Sequence, residues 1–115
     1  MTLRSASTNS SRLVALDYEV AQEQASALGR AGRALETALK ALSDHDRAET
    51  EDRAARAKLV QDASEALWCF MVQRESCGLR DPRPVIRDYR IPAEVQNRMG
   101  IFGAAGTAKR LKPRP

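Results

Sequence analysis

Aromatic side chains are scarce in this chain of 115 residues, which has two Phe, two Tyr and one Trp among an apolar fraction of 43% that is rich in Ala. Ala brings little area to bury, so a core built from it must gain by close approach of helices or by association of chains. No apolar run approaches the ~20 residues that a transmembrane helix requires. Met1 to Arg12 is rich in Ser and Thr and has no apolar core of the kind a secretory signal carries. A soluble, cytoplasmic protein with no membrane partner is the expectation. His45 is the sole histidine, and the two cysteines, Cys69 and Cys77, are eight positions apart. On one helix that is roughly 12 Å along the axis, too far for a disulfide, and neither CxxC spacing nor a Cys/His cluster is present. His45 lies between Asp44 and Asp46, but adjacent helix positions do not face one another. Ser and Thr are plentiful without a motif that places a general base beside one. Gly103 to Lys109 has a faint phosphate-loop flavour, yet lacks GxxxxGK[ST] and a preceding strand. These absences predict no catalytic residue, no metal ligand and no cofactor, hence no enzyme.

What is present begins with an uneven charge. The net charge is +4, but residues 1–73 hold nine Lys/Arg against eleven Asp/Glu, and residues 74–115 hold ten against four. Basicity belongs to the C-terminal third.

The apolar pattern is helical. Val14, Ala21, Leu28, Leu35 and Leu42 recur every seven residues, and Tyr18, Ala25, Gly32 and Leu39 fall four after the first four of them. This two-position seam predicts a helix of some thirty residues, about 45 Å long. Ala21, Ala25, Gly29 and Gly32 make its middle small-sided, fitting either close approach of another helix or a kink. Ser43-Asp44-His45-Asp46 then reads as a helix start with Ser43 as N-cap. Behind it, Glu49 and Arg53, and Asp52 and Arg56, stand at i, i+4. A second apolar face runs through Leu59, Val60, Ala63, Leu67 and Phe70 and widens at Ala66 to Val72, which is apolar without interruption and must be covered on more than one side. Gly78 is a helix stop. One continuous rod would place Asp46, Glu49, Arg53 and Arg56 in the seam, so the hairpin is preferred. Folding back at Ser43 to Asp46 would set Ala66 to Val72 beside Leu13, Val14, Leu16, Tyr18 and Val20.

Pro82 and Pro84 predict an extended arm after Gly78. Pro92 suits the first turn of a short helix over residues 93–99, closed by Gly100. Val85, Ile86, Tyr89, Ile91, Val95, Met99 and Phe102 would anchor this segment on the hairpin. The chain ends in a Gly/Ala-rich stretch and a basic cluster, Lys109, Arg110, Lys112 and Arg114.

The expected architecture is therefore all-α. A flexible tail (1–11) precedes a long antiparallel helical hairpin (12–78), an extended Pro-containing arm with a short helix (79–102), and a flexible basic tail (103–115). Two hairpins would associate as a homodimer in a four-helix bundle, because one hairpin leaves half of each helix uncovered. The anchors of core or interface are Tyr18, Leu28, Leu35, Leu67, Trp68, Phe70, Met71, Tyr89 and Phe102. The layout resembles small four-helix-bundle proteins such as the plasmid copy-number regulator that binds RNA loops, a likeness of architecture that transfers no functional residue. Seams and anchors without site chemistry predict a scaffold or adaptor that binds another protein. The alternative is a small nucleic-acid-binding regulator, with Lys109, Arg110, Lys112 and Arg114 as polyanion contacts.

Overall fold

The computed structural model describes residues 2–99, and among them every regular element is a helix: α1 (Thr2–Arg47), α2 (Arg53–Ser76), α3 (Arg83–Asp88) and α4 (Ala93–Met99). The first two form an antiparallel hairpin. α1 reaches back to Thr2, so the residues expected as a loose tail continue the helix. Ser, Thr and Asn cost only a few tenths of a kcal/mol each against Ala, and extending a helix is far easier than nucleating one.

The hairpin turn also lies later than the sequence pattern suggests. α1 runs straight through Ser43 to Asp46, where Asp44 accepts hydrogen bonds from Lys40 (2.9 Å) and Arg47. Past its end at Arg47 the chain turns at Glu49, which adopts a left-handed φ of 57° and donates its N–H to the Asp46 carbonyl at 3.1 Å. A non-glycine residue in that conformation is uncommon, and no Gly or Pro announces the break. Asp52, not Ser43, caps α2, its carboxylate accepting the Ala55 N–H at 3.0 Å. The i, i+4 pairs expected around Glu49 to Arg56 are correspondingly absent, since Glu49 is in the turn and Asp52 is a cap.

Each residue by which α1 runs on moves the pairing of an antiparallel hairpin by two. Phe70 therefore meets Gly32 rather than the Tyr18 region. A Cβ on Gly32 would lie 3.3 Å from the Phe70 ring and 3.2 Å from the Tyr89 hydroxyl. Counting back along both helices sets Leu67 opposite Leu35 and Val60 opposite Leu42, and all four are buried. Leu35 and Leu67 have no exposed surface.

Pro82 and Pro84 do not make an extended arm. Pro82 is the N-cap and Pro84 lies in the first turn of α3, where a missing N–H costs nothing. Asp81 accepts the Arg83 backbone N–H at 3.0 Å, completing the start. α2 and α3 stop in the same way. The N–H of Gly78 (φ 88°) bonds the Glu75 carbonyl and that of Leu79 bonds Arg74, while the N–H of Arg90 (φ 52°) bonds Arg87 and that of Ile91 bonds Ile86. This is the Schellman arrangement, which reverses the chain within two residues. In the second case it drives Ile91 into the core at 6% exposure.

Pro92 then opens α4, with Val95 and Gln96 donating to its carbonyl. Val85, Ile91 and Val95 join Leu35, Leu42, Val60, Ala63, Leu67 and Phe70 in one cluster. α4 is held on α2 by buried Ser64, whose Oγ lies 2.8 Å from the Val60 carbonyl and 3.1 Å from that of Val95, sharing its proton between them.

The two glycines of α1 separate helix propensity from packing. A Cβ at Gly29 would touch only the flexible end of Arg33, at 3.4 Å. Gly29→Ala should stabilise by about 0.5–1 kcal/mol, and Gly32→Leu should destabilise by about 1–3 kcal/mol because Phe70 and Tyr89 must move. Urea unfolding of the two variants measures both; a gain at each site would show that Phe70 and Tyr89 do not sit on Gly32.

Candidate interaction surface

α1 spans 46 residues and α2 only 24, roughly 69 and 36 Å. With Phe70 at Gly32, Ser76 at the end of α2 reaches no further than about position 26 of α1. Residues 10–23 are all exposed, and side chains first become partly covered from Gln24 to Gly29. Leu13, Val14, Leu16, Tyr18 and Val20 are between 55% and 68% exposed. These are the residues expected to cover the Ala66 to Val72 run.

The free half of α1 is strongly amphipathic. At about 100° per residue, Val14, Tyr18, Ala21, Ala25 and Leu28 fall within roughly 80° of one another, with Leu13 and Val20 on one flank. Arg12, Glu19, Glu23 and Arg30 gather within roughly 40° on the far side, where Arg30 bonds Glu23 at 3.2 Å. Asp17 is the single charge between the seam and the apolar flank. Further along the same helix, Gly32, Leu35, Leu39 and Leu42 continue the seam, and there it faces α2 and the core. One continuous face thus has two fates: covered from Leu28 onward, open before it. At the junction lies a groove walled by Ala25, Leu28, Gly29, Gly32, Phe70 and Tyr89. The Phe70 and Tyr89 rings are 5.4 Å apart and tilted by 60°, and burial, helped by Glu36, raises the Tyr89 phenol above its ordinary pKa.

The apolar run from Ala66 to Val72 in α2 divides among surroundings. Leu67 and Phe70 are core, Met71 is half-buried against it, and Trp68 and Val72 look outward, Trp68 at 49% exposure. Trp68 lines an open groove of about 470 Å³ with Gln61, Ser64, Cys69, Arg98 and Met99, where Arg98 bonds Gln61 at 2.9 Å. Of the remaining anchors, Leu28 and Tyr89 are half-buried against the core. Phe102, Lys109, Arg110, Lys112 and Arg114 lie outside the described residues. Cys69 and Cys77 are free thiols.

Three polar groups escaped the sequence reading. The Arg56 guanidinium bridges α1, α2 and α4: Nε and Nη2 bond both Asp46 oxygens at 2.7 and 3.1 Å, and Nη1 and Nη2 bond both Glu94 oxygens. Its partners are ten and 38 positions away, so no local spacing signals it. Ser64 is another, a buried hydroxyl that reads in sequence as one more polar helix position. Lastly, Asp81 takes a bidentate contact from Arg83, whose side-chain hydrogen bonds, with its backbone N–H, hold the carboxyl down to about 2. His45 Nε2 is 3.1 Å from the Thr50 hydroxyl, and its Nδ1 lies 3.9 Å from the Asp46 carboxylate. His45 thus sits at the hairpin turn beside the Arg56 cluster. Among the described residues no group of three His, Cys, Asp or Glu side chains is placed to hold a metal, and no helix is long and apolar enough to cross a membrane.

The hydrogen bonds from Arg56 lower the pKa of both Asp46 and Glu94. A carboxyl depressed in the folded state contributes stability above its unfolded pKa and loses it as the pH falls through the folded one. Thermal stability should therefore decline from about pH 5 towards pH 2. In Arg56→Met the decline should shrink, because Asp46 and Glu94 then repel each other and gain by protonation. Melting curves at pH 6 and pH 3 compare the two proteins; equal drops would show that the bridge contributes nothing in solution.

No curated protein and no solved structure matches the chain. The model of a family of unknown function, DUF6665, matches residues 3–108, nearly the whole length, and the chain belongs to that family.

Proposed function

We propose that this protein is a non-enzymatic helical scaffold or adaptor, and that its binding surface is the free half of α1. The observation that carries the reading is the seam pair Val14 and Tyr18 with Leu13 and Val20 on their flank, each more than half exposed on a helix whose same face is core twenty residues later. A contiguous apolar strip of this kind marks a surface made for association. The polar clusters support the reading by being accounted for otherwise. Arg56, Asp46 and Glu94 satisfy one another, Ser64 bonds two carbonyls, and Asp81 and Asp88 pair with Arg83 and Arg87. None converges on a space where a substrate atom would react. Trp68 and its groove offer a second, smaller contact area on the opposite side of α2.

Nucleic-acid binding by the C-terminal third remains the alternative, and it draws on residues 109–114, outside the described part. No described observation favours it.

A photoreactive amino acid placed at Val14, compared with one at exposed Thr37 on the hairpin body, tests the surface in the native cell. Polypeptide adducts should form at position 14, fall at least fivefold when Tyr18→Glu is added, and be few at position 37. Absence of polypeptide adducts at position 14 would overturn the reading.

A further inference from the structure

We infer that the occupant of the free half of α1 is the free half of α1 in a second copy of this chain, packed antiparallel, with Tyr18 on the partner's Ala21 and Val14 on the partner's Ala25. The inference rests on reading this face as a binding surface and names what binds there.

Continuity is the first support. The face that buries Leu35 and Leu42 in the hairpin runs on through Leu28, Ala25, Ala21, Tyr18 and Val14 without a change of chemistry. Its natural complement is another helix with the same seam. The requirement is for a neutral helix, because Asp17 alone is charged beside the seam while Arg12, Glu19, Glu23 and Arg30 lie behind it. This chain's own α1 meets that requirement and supplies it at equal concentration.

Orientation follows from where the hairpin body sits. A parallel pair would bring both hairpin bodies to one end, where α2 already covers the seam of each α1. An antiparallel pair places the bodies at opposite ends and overlaps only the free halves, which are of equal length by symmetry.

Register follows from size. Large and small seam residues alternate in pairs, Val14 and Tyr18 then Ala21 and Ala25, so pairing each large residue with a small one lets two helices approach closely. The same register sets Asp17 near the partner's Gln24, an amide that donates to a carboxylate, instead of near a second Asp17. The approaching helix then runs beside α2 into the groove lined by Leu28, Gly32, Phe70 and Tyr89, where Arg33 and Glu36 add one charge of each sign. Contact along two such stretches covers on the order of 1,200 Å² in all, the lower bound for stable specific association.

Light scattering and spin-label distances on the purified full chain test the inference. The mass should be twice the 12.7 kDa of the chain at micromolar concentration and fall to one chain in Tyr18→Glu, whose cooperative melt should persist because Tyr18 touches no core residue. With Cys69→Ser and Cys77→Ala as background, labels at Glu19→Cys should lie within about 30 Å of each other. Labels at Lys40→Cys should lie beyond about 50 Å, since some forty residues of helix separate them. A monomeric mass, or short distances at both positions, overturns the inference. Adducts at Val14 that contain only foreign polypeptides would also overturn it while leaving the binding surface itself standing, whereas no adducts at all would remove both.

Discussion

The seat of Phe70 and Tyr89 on the bare backbone of Gly32 fixes how far along α1 the second helix reaches, and nearly everything else depends on that. Two side chains cannot approach a helix axis so closely where a Cβ intervenes, so the pairing is locked at this point. Leu67 then has to meet Leu35, and Val60 has to meet Leu42. The same lock leaves residues 10–23 of α1 exposed. A lone glycine in a helix interior costs about 1 kcal/mol against Ala. Here that cost is offset by the core contact it permits, and its consequence is an exposed seam.

Polar interactions hold the closed half. Arg56 links α1, α2 and α4 with a planar fork that matches two carboxylates at once. At about one-third exposure it forms a surface network, so its role is to fix the angle of α4 and the position of the turn more than to add stability. Ser64 does the complementary work inside, giving the Val95 carbonyl a partner where water does not reach. Together they hold α4 over the end of α2 that the turn would otherwise leave bare.

Periodicity made the two long helices legible, and it did so because a seam every seven residues is a strong signal even when its members are Ala and Gly. The short helix after Pro92 and the stop at Gly78 were legible for the same kind of reason, a residue with one backbone preference. Legibility failed where ordinary residues adopt special geometry. Glu49 and Arg90 take left-handed conformations that Gly usually takes, so neither the hairpin turn nor the end of α3 carries a sequence signal. Pro82 and Pro84 look like helix breakers in sequence and are helix starters in the fold, a distinction that depends on which residues follow. The error in the turn propagated. A turn about six residues later moved the expected cover of Phe70 from the Tyr18 region to Gly32, turning Tyr18 from a core candidate into a surface one. Trp68 marks a different limit, since a helix that is apolar all round gives no indication of which side will be left open.

The free half of α1 gains from being an extension of a packed helix. A separate helix of some two dozen residues with no tertiary contact would be marginal in water, because the first turn must be nucleated at a cost that later turns recover slowly. Here the turns buried against α2 provide the nucleus, and each further residue outward needs only propagation, which Ala21, Ala25, Ala27 and the flanking Gln residues favour. On the proposed reading a partner would meet this surface already helical, and the entropy of ordering it would not be subtracted from the affinity. A seam of modest area built largely from Ala can support specific association on those terms, whereas the same residues in an unstructured tail could not. On the proposed reading the scarcity of aromatic residues and the length of α1 are one design, in which pre-formed helix substitutes for large side chains.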